Sequence, residues 1–290
     1  MKNTKLIAAT AIATVMASSA YAELSLGGAF ATVHNSGDGN KGMTNTSTSS
    51  TVNVDYTSTL ANGMGIAVAA DVGVSGTAYA ITVSSDLGSI SVGTDLDSGM
   101  DLKDGAQGAG SFNGGGRILA ADNAYVDGDS ASGNPIMIKT SMAGVDVVAT
   151  MGDNSAAGQD DERVISIGVS TALAGVSIAA GNTDFGTDAG DHSFMTLGYS
   201  VGGFNLGWGN WDSDTADMTQ IGASTTVAGL GIGVTSASTD NVGSAADFDA
   251  TGVHVSGDLG GAFWVVDYIS KDDGAGVETD VYRAVFGVGF

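Results

Sequence analysis

Seven short turns recur along the chain: Leu60-Ala61-Asn62-Gly63, Asp86-Leu87-Gly88, Met142-Ala143-Gly144, Leu173-Ala174-Gly175, Val201-Gly202-Gly203, Val227-Ala228-Gly229 and Leu259-Gly260-Gly261. Between their second residues the intervals are 26, 56, 31, 28, 26 and 32, so one unit repeats and one interval is about twice the others. Gly and Asn supply the positive φ that tight hairpin turns demand. The flanking segments alternate at period two, as in Val52, Val54 and Tyr56 against Asn53, Asp55 and Thr57, or Ile66, Val68, Ala70 and Val72 against Ala67, Ala69, Asp71 and Gly73. After residue 22 no window carries the 3.6-residue period of an amphipathic helix. The other connections are longer, acidic and rich in Gly, Ser and Thr, at 35–48, 153–162, 184–191, 212–217, 239–247 and 270–278. Sixteen strands are predicted: 24–34, 50–59, 64–74, 78–85, 89–95, 135–142, 145–152, 163–172, 176–183, 191–200, 204–211, 217–226, 230–237, 248–257, 261–269 and 279–290.

A soluble sheet buries its apolar face under a second layer, but the other strand face here is too rich in Gly, Ser, Thr, Asp and Asn to build one. A meander of sixteen strands also leaves two edges open unless its ends meet. Closure into an all-β, antiparallel up-and-down barrel in lipid, apolar outside and polar inside, meets both constraints. At that strand number the lumen is wide enough for water. Short turns at one end and long loops at the other match outer-membrane barrels.

The N-terminus supports export. Lys2 and Lys5 precede an apolar run ending in Ala20-Tyr21-Ala22, the pattern of a signal peptide cleaved after Ala22, which leaves 23–290 as one barrel domain. The run is too short and too polar to anchor in a membrane. With 32 acids against 9 Lys and Arg, net charge −23, a nucleic-acid partner is excluded; loss of Lys2 and Lys5 deepens the charge to −25. The absence of Cys excludes disulfides and thiolate metal sites, and fits an oxidising compartment.

Taken together, the chain resembles the Gram-negative general diffusion porins, trimeric sixteen-stranded barrels, over essentially the whole mature sequence. Two features carry the resemblance beyond the architecture. The doubled interval falls after the fifth strand, and the last strand sets Tyr282, Ala284, Phe286, Val288 and Phe290 on one face, ending on the aromatic. The resemblance implies a homotrimer in the cell outer membrane, embedded in lipid and lipopolysaccharide, with Phe290 read by the outer-membrane assembly machinery. It also implies that 96–134 folds inward as a constriction loop, bringing Asp97, Asp101, Lys103, Asp104 and Arg117 to the pore beside Asp95. One departure is marked: between Lys41 and Lys103 there is no basic residue to face such an acidic loop. By alternation the inward basic residues are Lys139 and Arg283, with Asp55 and Asp71 as wall carboxylates.

Acids lining or crowning a pore attract cations and repel anions, so the expected function is passive diffusion of small hydrophilic solutes and ions with cation preference. No enzymatic constellation stands out: His34, His192 and His254 are scattered, and Ser is too abundant for a chance triad to mean anything. No cofactor is required. Asp160-Asp161-Glu162, Asp272-Asp273 and Asp212-Ser213-Asp214 offer clustered oxygens of the kind Ca2+ takes, without an EF-hand pattern. Most aromatics lie late in the chain, including Trp208, Trp211 and Trp264, which predicts that the C-terminal strands face lipid and the Gly-, Ala- and Val-rich early strands face other subunits. A structural or adhesive surface β-protein displaying acidic loops is the alternative of another class.

Overall fold

Five of the short turns have the same backbone solution, two consecutive residues with positive φ. They are Ala143-Gly144 (54° and 81°), Ala174-Gly175 (52° and 83°), Gly202-Gly203 (57° and 83°), Ala228-Gly229 (52° and 82°) and Gly260-Gly261 (78° and 107°). This is the turn whose twist matches that of paired strands. Gly was expected to supply these angles, yet three turns place Ala first. The second Gly and the strand pairing on either side hold that alanine in the left-handed region, which disfavours a Cβ.

The computed structural model describes residues 22–36, 44–73, 77–94, 96, 132–153, 163–184, 191–214, 216–241, 247–272, 274 and 278–289. They form β1 (Ala22–Ser36), β2 (Thr44–Thr59), β3 (Gly65–Gly73), β4 (Thr77–Ser85), β5 (Gly88–Gly93), β6 (Ser132–Met142), β7 (Val145–Asp153) and β8 (Arg163–Leu173). The second half comprises β9 (Val176–Asp184), β10 (Asp191–Val201), β11 (Phe204–Ser213), β12 (Ala216–Val227), β13 (Leu230–Asn241), β14 (Phe248–Asp258), β15 (Ala262–Asp272) and β16 (Glu278–Gly289). Each strand pairs antiparallel with the next, and β1 pairs with β16 from Ala29↔Gly289 to Ser36↔Tyr282, closing the barrel. No described helix is long and apolar enough to cross a membrane; the strands carry the crossing.

The sixteen expected strands are all present, but several run further than expected. β2 begins at Thr44, inside a polar Thr/Ser run assigned to a loop, and β13 and β15 extend to Asn241 and Asp272. The loop between β11 and β12 shrinks to residues 214–215. Polar strand ends lack apolar alternation, so their composition reads as loop although the ladder continues. In consequence Asp212, Asp217, Asp240 and Asp272, placed in loops by composition, sit on strands.

Closure gives each strand two unlike faces. The outer face carries Ile138, Ile167 and Phe286, each about half exposed at 50, 51 and 52 %. The inner face carries Ser166 and Thr196, exposed 1 and 0 %. An apolar face this extensive with no protein layer above it is the signature of a surface solvated by lipid. At the long-loop end the outer face turns acidic, with Asp212, Asp217 and Asp240 opposite one another on adjacent strands, and likewise Asp249, Asp272 and Glu278. Like charges directly opposed cost stability, and such rows are tolerated where water and counter-ions surround them.

Candidate functional site: the pore wall

Strand tilt sets the geometry of the inner wall, because residues in register across many strands trace a row that climbs the barrel. One row runs from Ser200 through Asn205, Ser224, Gly233, His254 and Asp267 to Arg283, crossing β10 to β16. Its members are linked: Ser200 Oγ donates to Asn205 Oδ1 at 2.7 Å, and Asn205 Nδ2 to Ser224 Oγ at 3.3 Å. Further along, His254 Nδ1 lies 2.8 Å from Asp267 Oδ1, and Arg283 Nε lies 3.3 Å from Asp267 Oδ2. His254, Asp267 and Arg283 are exposed only 6, 1 and 7 %. Buried charges persist only when paired, and Asp267 meets that condition by bridging two basic side chains.

A second row holds Phe194, Trp211, Met218, Thr239 and Phe248 on β10 to β14, all buried. With Ala179, Ala237, Ala250 and Ile269, Phe194, Trp211, Met218 and Phe248 form an apolar cluster on the inner face, and Lys271 Nζ sits 4.1 Å from the Phe248 ring centre. This corrects the expectation of a uniformly polar lumen. Of the late tryptophans, Trp208 and Trp264 face outward and Trp211 faces inward. The indole of Trp211 lies along the wall over Gly209, where a Cβ would stand 2.5 Å from Trp211 Cη2. Alternation alone locates a residue on a face, but it cannot tell which of two adjacent aromatics starts the inward set when Gly and Asn separate them.

Sequence-derived pore residues divide into two groups. Asp55 and Asp71 lie on the inner face of β2 and β3, half-buried, in diagonal positions, with Asn53 directly opposite Asp71. Lys139 is inward on β6, opposite Val148 and Ser89, and Arg283 is inward on β16. All four faces agree with the alternation. Asp95, Asp97, Asp101, Lys103, Asp104 and Arg117 lie outside the described residues, as do the expected signal peptide except for Ala22, almost all of 96–134, and Phe290. Of the calcium candidates, Asp160, Asp161, Glu162 and Asp273 also lie outside them, while Asp272 is on the outer rim. Among the described residues no three His, Asp or Glu side chains converge on a metal-sized site.

His254 was expected as a strand-end or lumen residue, whereas its partner Asp267 was not singled out, although one signal for the pair was present. They stand six residues before Gly260 and six after Gly261, so the tight turn alone brings them opposite each other. Arg283 joins them across the long β15–β16 connection, which fixes no register from sequence.

A closed barrel with an apolar belt outside and a polar, charged inner wall defines a transmembrane β-barrel channel. The chain belongs to the Gram-negative porin family, whose model matches residues 8–258. It is an outer-membrane protein, and the family's function is a channel for diffusion. Among solved structures it is similar to a porin refined at 1.8 Å resolution (15 % identity, TM-score 0.69, covering 92 % of this chain and 100 % of that one). A mutant of the Rh. blastica porin matches at 17 % identity and TM-score 0.67, over 92 % of this chain and 100 % of that one. OmpT of Vibrio cholerae, described as a trimer form, matches at 13 % and 0.66, over 93 and 99 %. At these identities the likeness speaks for the fold. No curated protein matches by sequence.

Proposed function

We infer that the channel prefers cations and passes small hydrophilic solutes by diffusion, with no cofactor and no catalysis. The observation that carries this reading is the charge of the wall. β1 to β5 contain no Lys or Arg, while Asp55 and Asp71 face inward from β2 and β3. On β16, two strands from β2 across β1, the inward Arg283 is offset by Asp267. Carboxylates on a low-dielectric wall raise the local concentration of cations and exclude anions. The segment 96–134 narrows the lumen in this reading, adding Asp97, Asp101 and Asp104 to the acidic side next to Asp95, with Lys103 and Arg117 as its basic members.

Three copies associate through the Gly-, Ala- and Val-rich outer face of the early strands, set in lipid and lipopolysaccharide, with Phe290 as the assembly signal. Vesicle swelling tests the transport reading. Vesicles carrying the protein are expected to swell faster in a small amine than in a carboxylate of equal size, and faster in either than empty vesicles. Equal rates for the two solutes would contradict the preference, and no swelling would contradict the pore.

A further inference from the structure

We propose that a groove on the outer face at the short-turn end, across β4, β5 and β6, is a binding site for a phospholipid with an amine head group. The inference goes beyond the transport reading and rests only on the barrel's place in a membrane. Val83, Ile90 and Ile138 stand in register across the three strands and face outward; Met64 and Leu87 complete the apolar lining. Toward the turn the outer face is bare, because Gly88 stands between Ser85 and Thr140 without a side chain. The result is a groove of about 260 Å3, the volume of roughly nine waters, with room for part of one acyl chain. Leu87, Ile90 and Ile138 are exposed 87, 54 and 50 %.

The chemistry of the groove selects its occupant. Its hydroxyls are satisfied within the protein: Thr140 Oγ1 donates to Leu87 O at 2.7 Å, and Leu87 N donates to Ser85 Oγ at 3.3 Å. A hydrocarbon chain therefore meets no polar group in need of a partner. Left empty in a bilayer, the groove would forfeit dispersion contacts along its walls, so an acyl chain enters it. Lipid tails are as apolar as the lining, and a chain alone would exchange freely; the head group is what holds one lipid. Asp86 stands exposed in the turn beside Leu87, where the groove meets the membrane surface. Among the described residues no Lys or Arg lies on the outer face at this end: Lys139 and Arg283 face the lumen, while Arg163 and Lys271 lie at the long-loop end. An ammonium head is attracted there and an anionic head repelled. The bulky, exposed side chains also separate this stretch from the smooth Gly-, Ala- and Val-rich face, since close packing of subunits in lipid calls for small residues.

The test is lipid retention. The full chain, folded in detergent, is incubated with equal amounts of phosphatidylethanolamine and phosphatidylglycerol of identical chains, separated from free lipid, and the lipid it keeps is counted by mass spectrometry. It is expected to keep the ethanolamine lipid about two- to fivefold over the glycerol lipid, the size of one exposed ion pair. Asp86→Asn, in an exposed turn, should bring that ratio to about one. Val83→Phe, which fills the groove, should remove most of the retained lipid, whereas Ile167→Phe, on the outer face of β8, should not. Equal retention of the two lipids by the unaltered protein overturns the proposal, as does a preference that survives Asp86→Asn. Undiminished retention by Val83→Phe, or a loss that Ile167→Phe matches, overturns it as well. A protein that keeps no lipid overturns it too, and points to a second copy or a soluble partner on this groove. The Asp86→Asn comparison decides the matter if Val83→Phe fails to fold. None of these outcomes bears on ion preference, because Asp86 lies outside the lumen.

Discussion

Gly88, the first residue of β5, lies so close to the backbone carbonyl of Lys139 on β6 that an added Cβ would collide with that oxygen. Its φ of 134° is also one that side chains avoid. The start of β5 and the strand that bears the inward Lys139 are therefore packed backbone to backbone. Gly88→Ala is expected to cost about 2–4 kcal/mol. Gly63→Ala, at φ 84° with nothing within 4 Å of the new methyl, should cost about 1 kcal/mol. Equilibrium urea unfolding in lipid vesicles compares the two, and equal costs would refute the collision.

Ala174, at φ 52°, inverts the usual rule for glycine. Ala174→Gly is expected to stabilise the barrel by about 0.5–1 kcal/mol, because relief of the left-handed strain outweighs the added freedom of the unfolded chain. Ala179→Gly, in a strand and buried, should destabilise. The same unfolding measurement reads both signs.

The inner aromatic row carries packing energy that an all-polar lumen would lack. Trp211→Ala and Phe194→Ala are each expected to cost about 3–5 kcal/mol by leaving cavities among Met218, Ala179 and their neighbours. A loss below about 1 kcal/mol for either would show that the row is not packed.

Asp55 and Asp71 face the lumen without a basic residue on their own or adjacent strands. Asp55→Asn and Asp71→Asn should each reduce the cation-to-anion permeability ratio about 1.5- to 3-fold, while Lys139→Gln should increase it. Single-channel reversal potentials decide between these signs.

Strand number, turn positions and face assignment were legible in the sequence because they rest on local chemistry. Ala-Gly and Gly-Gly pairs mark turns, and Ile136, Ile138 against Met137, Lys139 mark faces. Strand ends such as Thr44–Ser49 and Thr239–Asn241 were not legible, since a ladder held by backbone hydrogen bonds needs no apolar side chains. The Asp267–Arg283 contact was hidden for another reason. It depends on register across a connection with no tight turn, and only the closed barrel sets that register. The acidic rows on the outer rim were concealed in the same way, because Asp212, Asp217 and Asp240 meet only when three strands align.

A water-filled pore whose wall favours cations can be read in a planar lipid bilayer under a tenfold KCl gradient. Stepwise ohmic conductance is expected, with a reversal potential of the sign set by potassium carrying most of the current. A bilayer that stays silent, or a reversal potential of the opposite sign, would contradict it.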